Sequence, residues 1–201
     1  MDKLSYAIGM SLAQSMVSSG VKEINYEDFL KGLKVVFTGG KPEISVEYGN
    51  QILQTYFEKI HKENEEMEKR TREKNLQESE EYLKRNGLLD DVKTTVTGLQ
   101  YKVINEGEGK LPGPHSIVRV HYEGSLTDGT VFDSSYKRGE PTEFGLDQVI
   151  PGWTEGLQLM KEGSTYTFYI HPQLGYGEVG VPGHIPGNSV LIFKVELIKV
   201  L

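Results

Sequence analysis

Residues 148–160 read QVIPGWTEGLQLM and hold the only tryptophan of the chain, Trp153. Pro151 and Gly152 stand where a helix begins, since proline at the first helical position sacrifices no hydrogen bond and sets φ in advance. Gly163 marks where it has stopped. Trp153, Leu157 and Met160 then fall on one face of that short helix, so the indole points toward whatever the helix packs on.

The neighbouring sequence supplies a sheet. From Gly98 onward lie 16 of the 23 glycines and seven of the eight prolines, the punctuation of turn-rich β structure. Period-two alternation appears in Leu99, Tyr101, Val103; in Val118, Val120, Tyr122 against Arg119, His121, Glu123; in Tyr166, Phe168, Ile170; and in Leu191, Phe193, Val195, Leu197. Each run predicts a strand with one buried face, and Asp128-Gly129 predicts a hairpin turn. The aromatic residues Tyr122, Phe132, Phe144, Tyr176 and Phe193 are candidates to surround the indole.

Upstream, glycine and proline are absent between Asn50 and Asn86. A helix is predicted from a cap at Ser45 to Asn86-Gly87, about 42 residues spanning roughly 63 Å. Val46, Ile52, Leu53, Tyr56, Phe57 and Ile60 give its first part a packing face. From His61 to Glu81 only Met67 and Leu76 are strongly apolar, so the second part is expected to stand in water, supported by acid-to-base pairs such as Glu65/Lys69 and Glu81/Arg85. Before it, Leu4, Ile8, Leu12 and Met16 predict one short helix, and Phe29, Leu33 and Val36 behind an Asn25 cap predict another. Two such short helices bury too little alone, since a unit of about 40 residues usually needs a metal, a disulfide or a partner, and a second copy of the chain is the expected partner.

Composition narrows the function. The chain has 201 residues and a net charge of -7, unlike nucleic-acid binders that carry a basic face for phosphate. There is no cysteine, hence no disulfide and no thiolate chemistry. No apolar run is long enough to span a bilayer, and the first residues lack the order of a secretory signal. A cytoplasmic chain is expected, or a periplasmic or outer-membrane-associated one if a signal has been removed. GEGK at Gly107 lacks the spacing of a phosphate loop. His61, His115, His121, His171 and His184 form no close ligand motif, so neither metal nor cofactor is expected.

VHYEGSLTDGTVFDSS, QVIPGWTEGLQLMKEGS, LGYG and IPGNSVLIFKVELIKV, in this order, closely resemble the FKBP-type peptidyl-prolyl cis-trans isomerases over residues 98–201. The helical region before them further resembles the bacterial Mip, FklB and FkpA subgroup, whose members are V-shaped homodimers joined through their N-terminal domains. The resemblance implies an α+β fold: a bent antiparallel sheet wrapped on a short helix at residues 89–201, a long connecting helix at 45–88 and an all-α dimerisation domain at 1–44. It implies that Trp153 floors a proline pocket walled by Tyr122, Phe132, Phe144, Val149, Ile150, Tyr176 and Phe193. Asp133 and Arg138 take polar positions at its rim, and Ile185 a position in the loop over its mouth. Thr142, Val181 and His184 depart from the common pattern there.

Proline-containing unfolded polypeptides are the implied substrates, and tacrolimus and rapamycin the implied class of macrolide inhibitors. Isomerase activity with chaperone behaviour as a dimer is the expected function. A non-catalytic proline-peptide-binding module or holdase is the alternative.

Overall fold

A computed structural model describes residues 1–201 and divides into two compact units, Met1–Glu68 and Lys69–Leu201. The first unit is helical. Helix α1 (Lys3–Ser18) is capped by Asp2, whose carboxylate accepts from the Ser5 N–H at 2.7 Å. Helix α2 (Tyr26–Thr38) is capped by Asn25 and ends at Gly39, in the left-handed conformation that stops a helix at least cost. Helix α3 (Val46–Asn86) starts where Ser45 Oγ accepts from the Tyr48 N–H, as the sequence predicts. Neither α1 nor α2 buries a single residue: Leu4 is 69% exposed and Ile8 56%.

The second unit is a seven-stranded antiparallel sheet. Its strands are β1 (Val92–Thr94), β2 (Gln100–Asn105), β3 (Ile117–Ser125), β4 (Val131–Ser134), β5 (Thr142–Gly145), β6 (Thr165–Ile170) and β7 (Leu191–Val200). Their order is β1-β2-β6-β7-β3-β4, with β5 pairing the first half of β3 and β4 the second. The alternating residues of the sequence do bury one face. Val118, Val120, Phe168, Ile170, Leu191, Val195 and Leu197 join one core with helix α5 (Pro151–Leu157). Between β3 and β4 the turn closes through Leu126 N–H to the Thr130 carbonyl at 2.9 Å, with Gly129 at φ 86°. A four-residue helix, α4 (Ser135–Arg138), follows β4 directly and ends at Gly139.

The last turns of α3 do not stand in water. From Arg72 to Asn86 a stripe at helical spacing is buried or half-buried: Arg72, Asn75, Leu76, Ser79, Tyr82, Leu83 and Asn86. Most of these side chains are polar, so hydropathy does not reveal the face. Hydrogen bonds hold it instead. Asn86 Nδ2 donates to Gln100 Oε1 at 2.8 Å, and Gln100 Nε2 donates at 2.8 Å to the Leu83 carbonyl, which also accepts the Gly87 N–H at 2.9 Å. Tyr82 lies 6.3 Å from the Tyr169 ring of β6. On the exposed side, Lys59–Glu63 and Lys74–Glu78 form solvent pairs at 3.8 and 3.4 Å, each of small worth.

If these turns belong to the sheet's unit, Leu83→Ala will destabilise that unit by about 2–3 kcal/mol, the cost of deleting a buried leucine. Denaturant unfolding followed by Trp153 fluorescence reads it; an unaltered midpoint would mean that the helix end is not part of the cooperative unit.

Candidate active site

Helix α5 can lie against the sheet because two of its seven residues have no side chain. A Cβ on Gly152 would stand 2.7 Å from Ile170 Cγ2, and one on Gly156 2.7 Å from Phe168 Cε1. That approach lowers Trp153 into the aromatic face of the sheet. Ile150, ahead of Pro151, adopts the extended conformation that a following proline imposes, and its carbonyl accepts from the Trp153 and Thr154 N–H groups to start the helix.

Trp153 is 3% exposed and meets three rings edge-on. Its centroid distances are 5.2 Å to Tyr122, 5.3 Å to Phe144 and 5.2 Å to Phe193, with interplanar angles of 88°, 84° and 82°. Perpendicular rings place the positive edge of one on the negative face of another, which stiffens the group. Above the indole is a cavity of about 310 Å³, lined by Tyr122, Phe132, Asp133, Phe144, Gln148, Val149, Ile150, Trp153, Tyr176 and Phe193. The indole Nε1 is buried with no hydrogen-bond partner.

Three polar groups form one cluster on the wall. Tyr122 donates its hydroxyl hydrogen to Asp133 Oδ2, and Arg138 Nη1 donates to Asp133 Oδ1. Arg138 Nη2 also donates to the Tyr122 hydroxyl at 2.8 Å and to Thr142 Oγ1 at 3.3 Å, while its guanidinium lies 5.4 Å from the centre of the Tyr122 ring. Burial works against the charge of Asp133, but the bonds from Tyr122 and Arg138 outweigh it and hold the carboxyl below its usual value. Burial and the Asp133 bond push the Tyr122 phenol up, so it remains a donor at neutral pH. Burial and the charge of Asp133 do the same for Tyr176, which is 40% exposed at the cavity.

The sequence-predicted residues are therefore distributed as follows. Tyr122, Phe132, Asp133, Phe144, Val149, Ile150, Trp153, Tyr176 and Phe193 meet at one cavity. Arg138 does not line it; from the end of α4 it braces Asp133 and Tyr122. Ile185 is not among the residues that line the cavity. It is 6% exposed within the core cluster and pairs its backbone with Val181, because the loop turns back on itself between them and directs this side chain inward. Gln148 lines the cavity although the sequence reading assigned it no role; its adjacency to Val149 and Ile150 was the available signal.

Because the folded pKa of Asp133 is depressed, its contribution to stability is complete above the usual 3.8 and is lost as pH falls through the lower folded value. Between about pH 5 and 8 this group should leave stability flat. Tyr122→Phe removes the hydroxyl and should raise the Asp133 pKa toward 3.8, read by NMR titration of the carboxyl carbon; an unmoved titration would mean that Arg138 alone sets it.

Two family models cover the chain: one described as FKBP-type peptidyl-prolyl cis-trans isomerase matches residues 109–198, and one described as the domain amino terminal to it matches residues 1–103. Over 202 aligned residues the chain is 41% identical to a probable FKBP-type isomerase FkpA of Neisseria meningitidis serogroup B, spanning all of this chain and 74% of that protein. It is 40% identical to the FKBP-type 22 kDa isomerase of Escherichia coli K12, spanning 98% and 94%. The outer membrane protein MIP of Legionella longbeachae is 39% identical, spanning 99% and 85%. The crystal structure of FkpA from Escherichia coli superimposes with a TM-score of 0.79 at 36% identity, over 98% of this chain and 95% of that one. The expectation of a cytoplasmic chain gains no support from an outer-membrane relative, and no helix here is long and apolar enough to cross a membrane. With this fold, and with similarity running the whole length of the chain, the protein belongs to the FKBP-type peptidyl-prolyl cis-trans isomerases.

Proposed function

We propose that the Xaa-Pro bond is turned in the cavity floored by Trp153, with Tyr122, Phe132, Phe144, Val149, Ile150 and Phe193 enclosing the pyrrolidine ring. The observation that carries this reading is the indole held by three perpendicular rings beneath a cavity whose walls are mostly aromatic and aliphatic. Rotation about the bond breaks amide resonance, a barrier of about 18–20 kcal/mol, while cis and trans differ by only about 0.5–1 kcal/mol. No covalent attack is needed. A planar amide is more charge-separated than a twisted one, so an apolar enclosure disfavours the ground state more than the transition state. Each 1.36 kcal/mol of that difference is about tenfold in rate. In this reading the protonated Tyr176 hydroxyl donates to a substrate carbonyl, and Asp133 keeps the Tyr122 ring in place rather than moving protons.

The helices of residues 1–44 are proposed as the dimerisation domain, residues 45–88 as the connecting helix and residues 89–201 as the isomerase domain. Support for the first comes from apolar side chains that no part of the chain covers: Leu4, Tyr6, Ile8 and Val17 of α1, and Leu30, Val36 and Phe37 of α2. An apolar groove of about 300 Å³ between α1 and α2, lined among others by Ala13, Met16, Val17, Phe29 and Leu30, is of the kind that a second copy fills. Two sites on one dimer gain avidity for a long unfolded client, which is the physical basis for chaperone behaviour. A compartment outside the cytoplasm fits the outer-membrane relative.

In a coupled assay on an Xaa-Pro peptide, Trp153→Leu in a protein that stays folded should lower kcat/KM by about tenfold or more; undiminished turnover would remove the cavity from the reaction. Sedimentation of the full chain should give twice the mass of one chain, and Leu4→Glu with Ile8→Glu should halve it. A monomeric full chain would refute the dimer.

A further inference from the structure

The wall of the cavity at Tyr176 is held from an element that the pocket itself does not contain. Arg72, Asn75 and Ser79 lie on one face of α3, and all three grip the segment Gly187–Val190. Asn75 Nδ2 donates to the Gly187 carbonyl at 2.9 Å. Ser79 Oγ donates to the Asn188 carbonyl at 2.7 Å and accepts the Val190 N–H at 3.2 Å. Asn188 Nδ2 donates to the Arg72 carbonyl at 3.0 Å.

Asn188 is the one residue other than glycine with positive φ, at 58°, a conformation that asparagine adopts more readily than most. Turned that way, its backbone N–H donates to the Gly177 carbonyl at 2.8 Å. Gly177 follows Tyr176 directly, and the Tyr176 carbonyl accepts from the Gly180 N–H at 3.1 Å. Hydrogen bonds thus run from Ser79 and Arg72 through Asn188 to the carbonyl of Gly177, the residue covalently next to Tyr176.

Ser79 is 5% exposed and Asn188 9%, so their polar atoms have little access to water as a substitute partner. Serine is a poor choice for a buried helical face on propensity or apolar contact alone. Here its hydroxyl does what no aliphatic side chain could, bridging two backbone groups of the loop.

We propose that Ser79 and Asn188 are positioning residues for the isomerase reaction: α3 clamps the root of the loop 175–188 and so fixes Tyr176 against the cavity. Neither residue touches the substrate. They act by preorganisation, sparing the bound peptide the ordering of a loose wall. The proposal rests on the reading of Tyr176 as a substrate contact.

The test uses the full chain and an Xaa-Pro peptide assay with Ser79→Ala, Tyr176→Ala and the double variant. Ser79→Ala should lower kcat/KM by about fivefold and speed hydrogen exchange of the Gly180 and Asn188 amides by about tenfold, with β6 unaffected. On the Tyr176→Ala background, adding Ser79→Ala should change kcat/KM by less than about twofold, since coupled residues do not add. Should Ser79→Ala fail to fold, Asn188→Gly carries the same test, because glycine keeps the positive φ and loses only the side-chain bond. A loss in Tyr176→Ala with none in Ser79→Ala overturns the clamp and leaves the site intact. An equal loss from Ser79→Ala with or without Tyr176 also overturns the clamp, and a Tyr176→Ala without effect overturns both.

Discussion

The site depends on how closely a seven-residue helix approaches the sheet beneath it. Gly152 faces Ile170 and Gly156 faces Phe168, and at either place a single added carbon would stand within 2.7 Å of a buried side chain. In a close-packed interior such an overlap is relieved only by displacement, at a cost of about 1–3 kcal/mol. Displacing α5 outward would lift Trp153 away from Tyr122, Phe144 and Phe193. The aromatic floor of the cavity follows from that one contact.

The enclosure also explains why the polar groups beside it are bonded to one another. Tyr122 presents a ring to the indole and a hydroxyl to Asp133, so the same side chain belongs to the apolar wall and to the polar cluster. Arg138 neutralises the carboxylate from outside the cavity and lies against the Tyr122 ring. Both side chains of the Arg138–Asp133 pair are partly exposed, so the pair acts as a brace for the Tyr122 ring more than as a buried charge pair. Tyr176 differs, being half-exposed on a loop and therefore in need of support from elsewhere.

Support of that kind comes from α3, and its chemistry is unusual for a helix face packed on a domain. Asn75, Ser79 and Asn86 supply side-chain hydrogen bonds where leucines would ordinarily supply area, and Arg72 adds its backbone carbonyl. Such contacts are directional, so they specify one register of helix on loop, whereas an apolar stripe tolerates sliding. A polar docking face thus suits an element whose task is to hold a loop in a single place.

How much of this was legible in the residues differs from element to element. Period-two burial in β3, β6 and β7, the turn at Gly129, the caps at Asn25 and Ser45 and the Pro-Gly entry to α5 all depend on local rules, steric limits on φ and the alternation of side chains along a strand. The motifs around Trp153 also named the residues that meet at the cavity. What the sequence alone could not decide was every outcome set by where folding brings one segment against another. Ile185 turns into the core because its loop doubles back on Val181, Gln148 reaches the cavity only because α5 brings the chain there, and Arg138 finds Asp133 from a separate helix. The docked face of α3 was hidden for the same reason: a polar residue looks solvated until the carbonyl it serves, more than a hundred residues away, has been folded against it.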